Sequence, residues 1–82
     1  MPYMKEIKAI IREQMDKYFA ANKVRINEVT QSQFESYWGL QTVYNYVAKV
    51  SYTDIKGERI AKKVFIEYAP MIKTLIDFDW EA

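Results

Sequence analysis

The reactive side chains of this 82-residue sequence are carboxylates, amines, guanidiniums, hydroxyls and phenols, because it contains neither cysteine nor histidine. That removes thiolate and imidazole nucleophiles, disulfides, the usual zinc sites and the ordinary histidine pH switch. Carboxylates alone can bind magnesium or exchange protons, which leaves Asp54, Glu58, Asp77 and Asp79 as candidates for catalysis. Their spacing does not support it. Asp77 and Asp79 are two apart, which on a helix sends them in different directions, and two glycines in the whole chain cannot build a phosphate-cradling loop. The expectation is a protein that binds rather than catalyses, without catalytic residue, metal or cofactor, and no small-molecule substrate is evident.

The formal net charge is only +1, yet it arises by cancellation. Residues 42–63 carry Lys49, Lys56, Arg59, Lys62 and Lys63 against Asp54 and Glu58, a net +3, whereas beyond residue 63 only Lys73 opposes Glu67, Asp77, Asp79 and Glu81, a net −3. The stretch from Lys49 to Lys63 is therefore where an anionic partner would dock, in competition with the chain's own acidic end. Half of the residues are hydrophobic and 28% are charged, the composition of a globular domain, and the length suits one domain over 1–82. No apolar run is long enough for a membrane span, and no signal peptide is recognisable, so a cytoplasmic location is expected.

The elements that must position these charges follow from periodicity. Met4, Ile7, Ile11, Met15 and Tyr18 recur at helical spacing, which predicts an amphipathic helix over 4–20, with Pro2 before it and Asn22 as a left-handed residue at its end. Val24, Arg25 and Ile26 alternate as a short strand. Thr30 and Gln33 then form a capping box and Val29 and Phe34 a hydrophobic staple, predicting a second helix that ends at Gly39. Residues 42–53 satisfy two periods at once. As a helix, Val43, Tyr46, Val47 and Val50 face inward; as a strand, Tyr44, Tyr46, Ala48, Val50 and Tyr52 share one face.

Asp54, Ile55, Lys56 and Gly57 suit a hairpin turn with a left-handed glycine. Closing it with Asp54 opposite Glu58 sets Tyr52 across from Ile60, and a long hairpin continues through Ala48 with Val64 and Tyr46 with Ile66. That register also places Lys49 opposite Lys63, a like-charge pair that is unfavourable unless an anion or acidic group joins it. Pro70 suits the first turn of a final helix with Met71, Ile72, Leu75 and Ile76 on its apolar side. Asp77, Asp79 and Glu81 would crowd its negative end, so the tail frays or meets a basic surface.

In order, these elements resemble a winged-helix domain. The most telling match is Thr30, Gln31, Ser32, Gln33, Phe34 leading to Gly39, Leu40 and then Thr42, Val43, Tyr44, Asn45, Tyr46, Val47, which looks like a helix-turn-helix. Glu35 stands where that family prefers a small residue, and the turn after Gly39 is shorter than usual. The resemblance, over residues 24–66, implies an α+β winged-helix-like fold in which the 41–49 segment reads the major groove of double-stranded DNA and the 54–63 wing holds the flanking backbone. It implies DNA contacts by Gln41, Thr42, Tyr44, Asn45 and Lys49 on the reading helix, and by Lys56, Arg59, Lys62 and Lys63 on the wing. The role implied is a small regulator or recombination accessory factor.

The strand alternative for 42–53 gives two helices, a long antiparallel hairpin and a C-terminal helix. It suits a protein-interaction or inhibitor module with an aromatic-rich hairpin. Either version has surface to spare for a homodimer, through the first helix or through Val47 and Phe65.

Overall fold

The structure, a computed structural model, describes residues 3–38 and 41–81, with side chains for all of these except 33–38 and 41. Helix α1 (Met4–Phe19) is followed by strands β1 (Asn22–Trp38), β2 (Gln41–Thr53), β3 (Arg59–Ala69) and β4 (Thr74–Trp80). The strands form one antiparallel meander in the order β1-β2-β3-β4, and α1 lies across one face of it. The helix forms where the periodicity places it. Its buried stripe is Ile7, Ile11 and Met15, and its end is marked by Ala20 in the left-handed region at φ 47°, with the Ala20 N–H donating to Asp16 O. Left-handed backbone thus falls on Ala20 and Lys23 (φ 51°), not on Asn22, which opens β1.

The two periodicities of 42–53 are resolved as a strand. Tyr46, Ala48, Val50 and Tyr52 all point beneath α1, and all are at most 3% exposed. Their partners are those of the long hairpin: Tyr52 opposite Ile60, Val50 opposite Lys62, Ala48 opposite Val64 and Tyr46 opposite Ile66. The turn is held by Asp54, whose Oδ1 accepts from the N–H groups of Lys56 and Glu58, both at 2.9 Å, while Gly57 takes φ +83°. A left-handed residue there is what the turn chemistry requires.

Three expectations are overturned, and with them the winged-helix fold. The capped second helix is instead the continuation of β1, with Thr30 against Val47 and Gln31 against Tyr46. Burying Val24, Ile26 and Val29 under α1 and pairing a whole strand outweighs a capping box and staple of about 1 kcal/mol. Gly39, expected to end that helix, lies outside the described residues. The reading helix over 41–49 is the first two-thirds of β2, paired with β1 and, from Tyr44 on, also with β3. The final helix is also absent: the Lys73 N–H donates to Pro70 O, Lys73 turns left-handed at φ 50°, and the chain returns as β4. The observed fold is α+β with one helix, so the alternative of two helices, a hairpin and a C-terminal helix is right in its first helix and its hairpin and wrong in its other two helices.

Most of the aromatic side chains described lie on the helix side of the sheet. Tyr46, Tyr52 and Tyr68 are buried, Tyr44 stacks on Tyr3 at 6.0 Å, and Phe19, Phe78 and Trp80 pack together beside the helix. Burial, reinforced by the neighbouring Tyr3, Tyr44 and Tyr68 hydroxyls and Glu6, pushes the Tyr46 phenol up to about 12. Its neutral form is favoured by folding, so this contribution is intact below the ordinary phenol value near 10 and is lost as pH rises towards 12. Denaturant unfolding from pH 8 to 11.5 is expected to show stability constant at first and then falling above pH 10, by about 1.4 kcal/mol per pH unit for one group. Tyr46→Phe should reduce that slope, leaving the share of Tyr52 and Tyr68, whose phenols burial also raises.

Candidate functional site: the uncovered face of the sheet

Because side chains alternate along a strand, the residues between the core positions form a second face, which α1 leaves bare. β1 contributes Arg25, Glu28 and Thr30; β2, Asn45, Val47, Lys49, Ser51 and Thr53; β3, Arg59, Lys63, Phe65 and Glu67; and β4, Asp77 and Asp79, all placed by the register of the three strand pairs. The charges on this face are sorted by position.

At the end near the Asp54–Gly57 turn the face is cationic. A groove of about 700 Å³ is lined by Arg12, Lys23, Arg25 and Arg59 together with Asn27, Ser51 and Thr53, and by no carboxylate. Arg59 lies across β2: its Nη1 donates to Lys23 O at 2.8 Å and to Thr53 Oγ1 at 3.1 Å, and its Nη2 to Ser51 Oγ at 3.1 Å. All three acceptors are neutral, so the guanidinium is oriented, and among the described residues no carboxylate pairs with it. The remaining donors of its five N–H groups stay available to a ligand. Arg12 reaches the same groove from α1 by donating to Val24 O at 3.0 Å. Two irregularities in the β1–β2 pairing, between Asn22 and Arg25 and between Ile26 and Glu28, make this possible. They bend β1 and turn Lys23 and Val24 carbonyls towards the arginines rather than along the ladder.

Across the middle of the face runs a row of charge: Glu28 beside Lys49, Lys49 beside Lys63, and Glu81 at the far edge, where its N–H donates to Lys63 O. The like-charge pair of lysines is present as the register demands. It is relieved at both ends, by Lys49 to Glu28 at 3.3 Å and by Lys63 to Glu81 at 3.9 Å. Both pairs are exposed and contribute at most about 1 kcal/mol each. The row as a whole is neutral. Beyond it, Glu67, Asp77 and Asp79 line a second groove of about 400 Å³ whose floor is Val47 and Phe65, with Ser32 and Asn45 beside them. Among the described residues no cluster of acidic side chains is placed to hold a metal, and no helix is long and apolar enough to cross a membrane.

The residues assigned to DNA contact by the winged-helix resemblance are thereby scattered. Arg59 alone enters the cationic groove. Lys49 and Lys63 are in the neutral row, and Lys56 is exposed at the turn. Lys62 is on the opposite face, its ammonium 4.9 Å from the Phe19 ring centre and 3.5 Å from Glu81 O. Tyr44 packs on the helix side against Tyr3, Asn45 lines the acidic groove, and Thr42 is half-buried near the start of β2. Gln41 is the first residue of β2, and its side chain is outside those described. Arg12, Lys23 and Arg25 belong to the groove but were hidden in the near-neutral first half of the chain. Only Arg25 had a local signal, its place between inward-facing Val24 and Ile26.

Comparisons with protein-family models, curated proteins and solved structures find no match for this chain. An oriented guanidinium among cations is matched in geometry and charge to an oxyanion. Sulfate should therefore raise the thermal midpoint above that in chloride at equal ionic strength, and Arg59→Ala should remove most of the difference, read by circular dichroism.

Proposed function

We propose that this protein is a non-enzymatic binding protein that docks on the phosphate backbone of double-stranded DNA through the cationic groove. The observation that carries this reading is the Arg59 guanidinium, fixed by Lys23 O, Thr53 Oγ1 and Ser51 Oγ without a carboxylate, with Arg12, Lys23 and Arg25 lining the same groove. An arginine fork matches phosphate geometry, and a side chain already held by the sheet loses little freedom on binding. Backbone contacts of this kind position a protein without reading sequence, so binding is expected to vary little between duplexes. The acidic end of the same face limits the footprint to the turn-proximal half, which agrees with a net charge of only +1.

Four cations set the electrostatics. If each neutralises one phosphate, the logarithm of the association constant falls against log salt with a slope of about −3.6, from about 0.9 per phosphate on duplex DNA. Fluorescence anisotropy with a labelled duplex over a salt series is the measurement. Arg59→Ala and Arg25→Ala are each expected to weaken binding and to reduce the slope by about 0.9, whereas Lys62→Ala, on the other face, should leave both unchanged. Absence of binding at low ionic strength, or equal losses from Arg59→Ala and Lys62→Ala, would overturn the reading.

A further inference from the structure

The open face is charged in opposite senses at its two ends, and this gives it a geometric property that the cationic groove alone does not have. Arg25, Lys23 and Arg59 occupy the corner formed by β1 and the turn-proximal ends of β2 and β3, while Glu67, Asp77 and Asp79 occupy the diagonal corner on β3 and β4. Between them lie the neutral row of Glu28, Lys49, Lys63 and Glu81 and the half-buried apolar pair Val47 and Phe65. When two such faces meet around a two-fold axis that lies in the plane of contact and crosses this diagonal, the cationic corner of each copy falls on the acidic corner of the other. The alternative axis, along the diagonal, sets like charges together and is rejected by their repulsion.

We infer that the partner of the open face is a second copy of this chain, joined face to face as a two-fold dimer with Lys23 and Arg25 of each copy set against Asp77 and Asp79 of the other. The acidic groove, floored by Val47 and Phe65, is of a size to receive arginine and lysine side chains with their stems on the apolar floor. From ordinary strand spacing and rise, the face offers on the order of 500 Å² per copy. The total of about 1,000 Å² is at the lower limit for a specific interface, so the dimer is transient and dominated by charge. Edge-to-edge pairing of β4 with itself is disfavoured by contrast, since it brings Asp77 and Asp79 of two chains alongside one another. Face-to-face pairing also covers the groove proposed for DNA, so a duplex and a second copy exclude each other.

Sedimentation equilibrium of the purified chain, with no nucleic acid present, tests this independently of DNA binding. Dimer is expected at low ionic strength, with a dissociation constant rising about tenfold or more at physiological salt. Two charge-reversed variants sharpen the test. Asp77→Lys with Asp79→Lys makes the face cationic at both ends, and Lys23→Glu with Arg25→Glu makes it anionic at both; all four positions are exposed, and folding is checked by circular dichroism. Each variant alone should be monomeric, and an equimolar mixture should form a one-to-one heterodimer at least as strong as the parent dimer. A parent chain that stays monomeric at low salt and high concentration overturns the proposal, as do variants that each still self-associate or a mixture that does not combine.

Discussion

The alternation of side chains along β2 is the constraint from which the other features follow. Tyr46, Ala48, Val50 and Tyr52 are all under the helix, so Val47, Lys49, Ser51 and Thr53 are all on the bare face. With β1 and β3 paired to either side, a slip of one residue would expose four core side chains and bury a lysine. Burying each of the larger ones contributes about 1.5–3 kcal/mol, far more than any ion pair on the other face. The charges therefore have no say in the register. They are carried to their positions by the apolar residues between them.

This explains why Lys49 and Lys63 stand side by side. The pairing is imposed by Val50, Ala48 and Val64, and the sheet relieves it by bringing Glu28 from β1 and Glu81 from beyond β4 to the flanks. Two of the lysines assigned to an anionic partner, Lys49 and Lys63, are thus already answered by carboxylates. The cations of the groove gather where the β1 irregularities break the regular ladder, because there backbone carbonyls rather than carboxylates hold the arginines. A groove of this kind depends on strand geometry as much as on residue type.

The hairpin was legible to the residue, since turn chemistry at Asp54 and Gly57 and matched apolar faces both act over short range. Helix α1 was legible for the same reason, apart from its final residue. The three false helices have different origins. The one over 30–39 rested on a capping box and a staple, local signals that pairing of β1 with β2 overrides; the one over 41–49 rested on a periodicity that fits a strand equally well. In β4 the extra residue Ile76 lets Leu75 and Phe78 both reach the core, so a bulge turns a spacing of two into a spacing of three, which on paper is the helical period. The cationic groove was illegible because Arg12, Lys23, Arg25 and Arg59 come from three elements whose juxtaposition exists only after strand pairing.

The meander order has one more consequence, and it concerns time. Every strand is bonded only to its neighbours in the chain, so closing each pair costs the entropy of a short loop rather than of a long one. Neighbour-only pairing lets the sheet close hairpin by hairpin, each strand needing only the one before it. The docking of α1 then joins the start of the sequence to residues from every strand. The bare face is thus laid out by strand pairing, since α1 packs on the opposite side of the sheet.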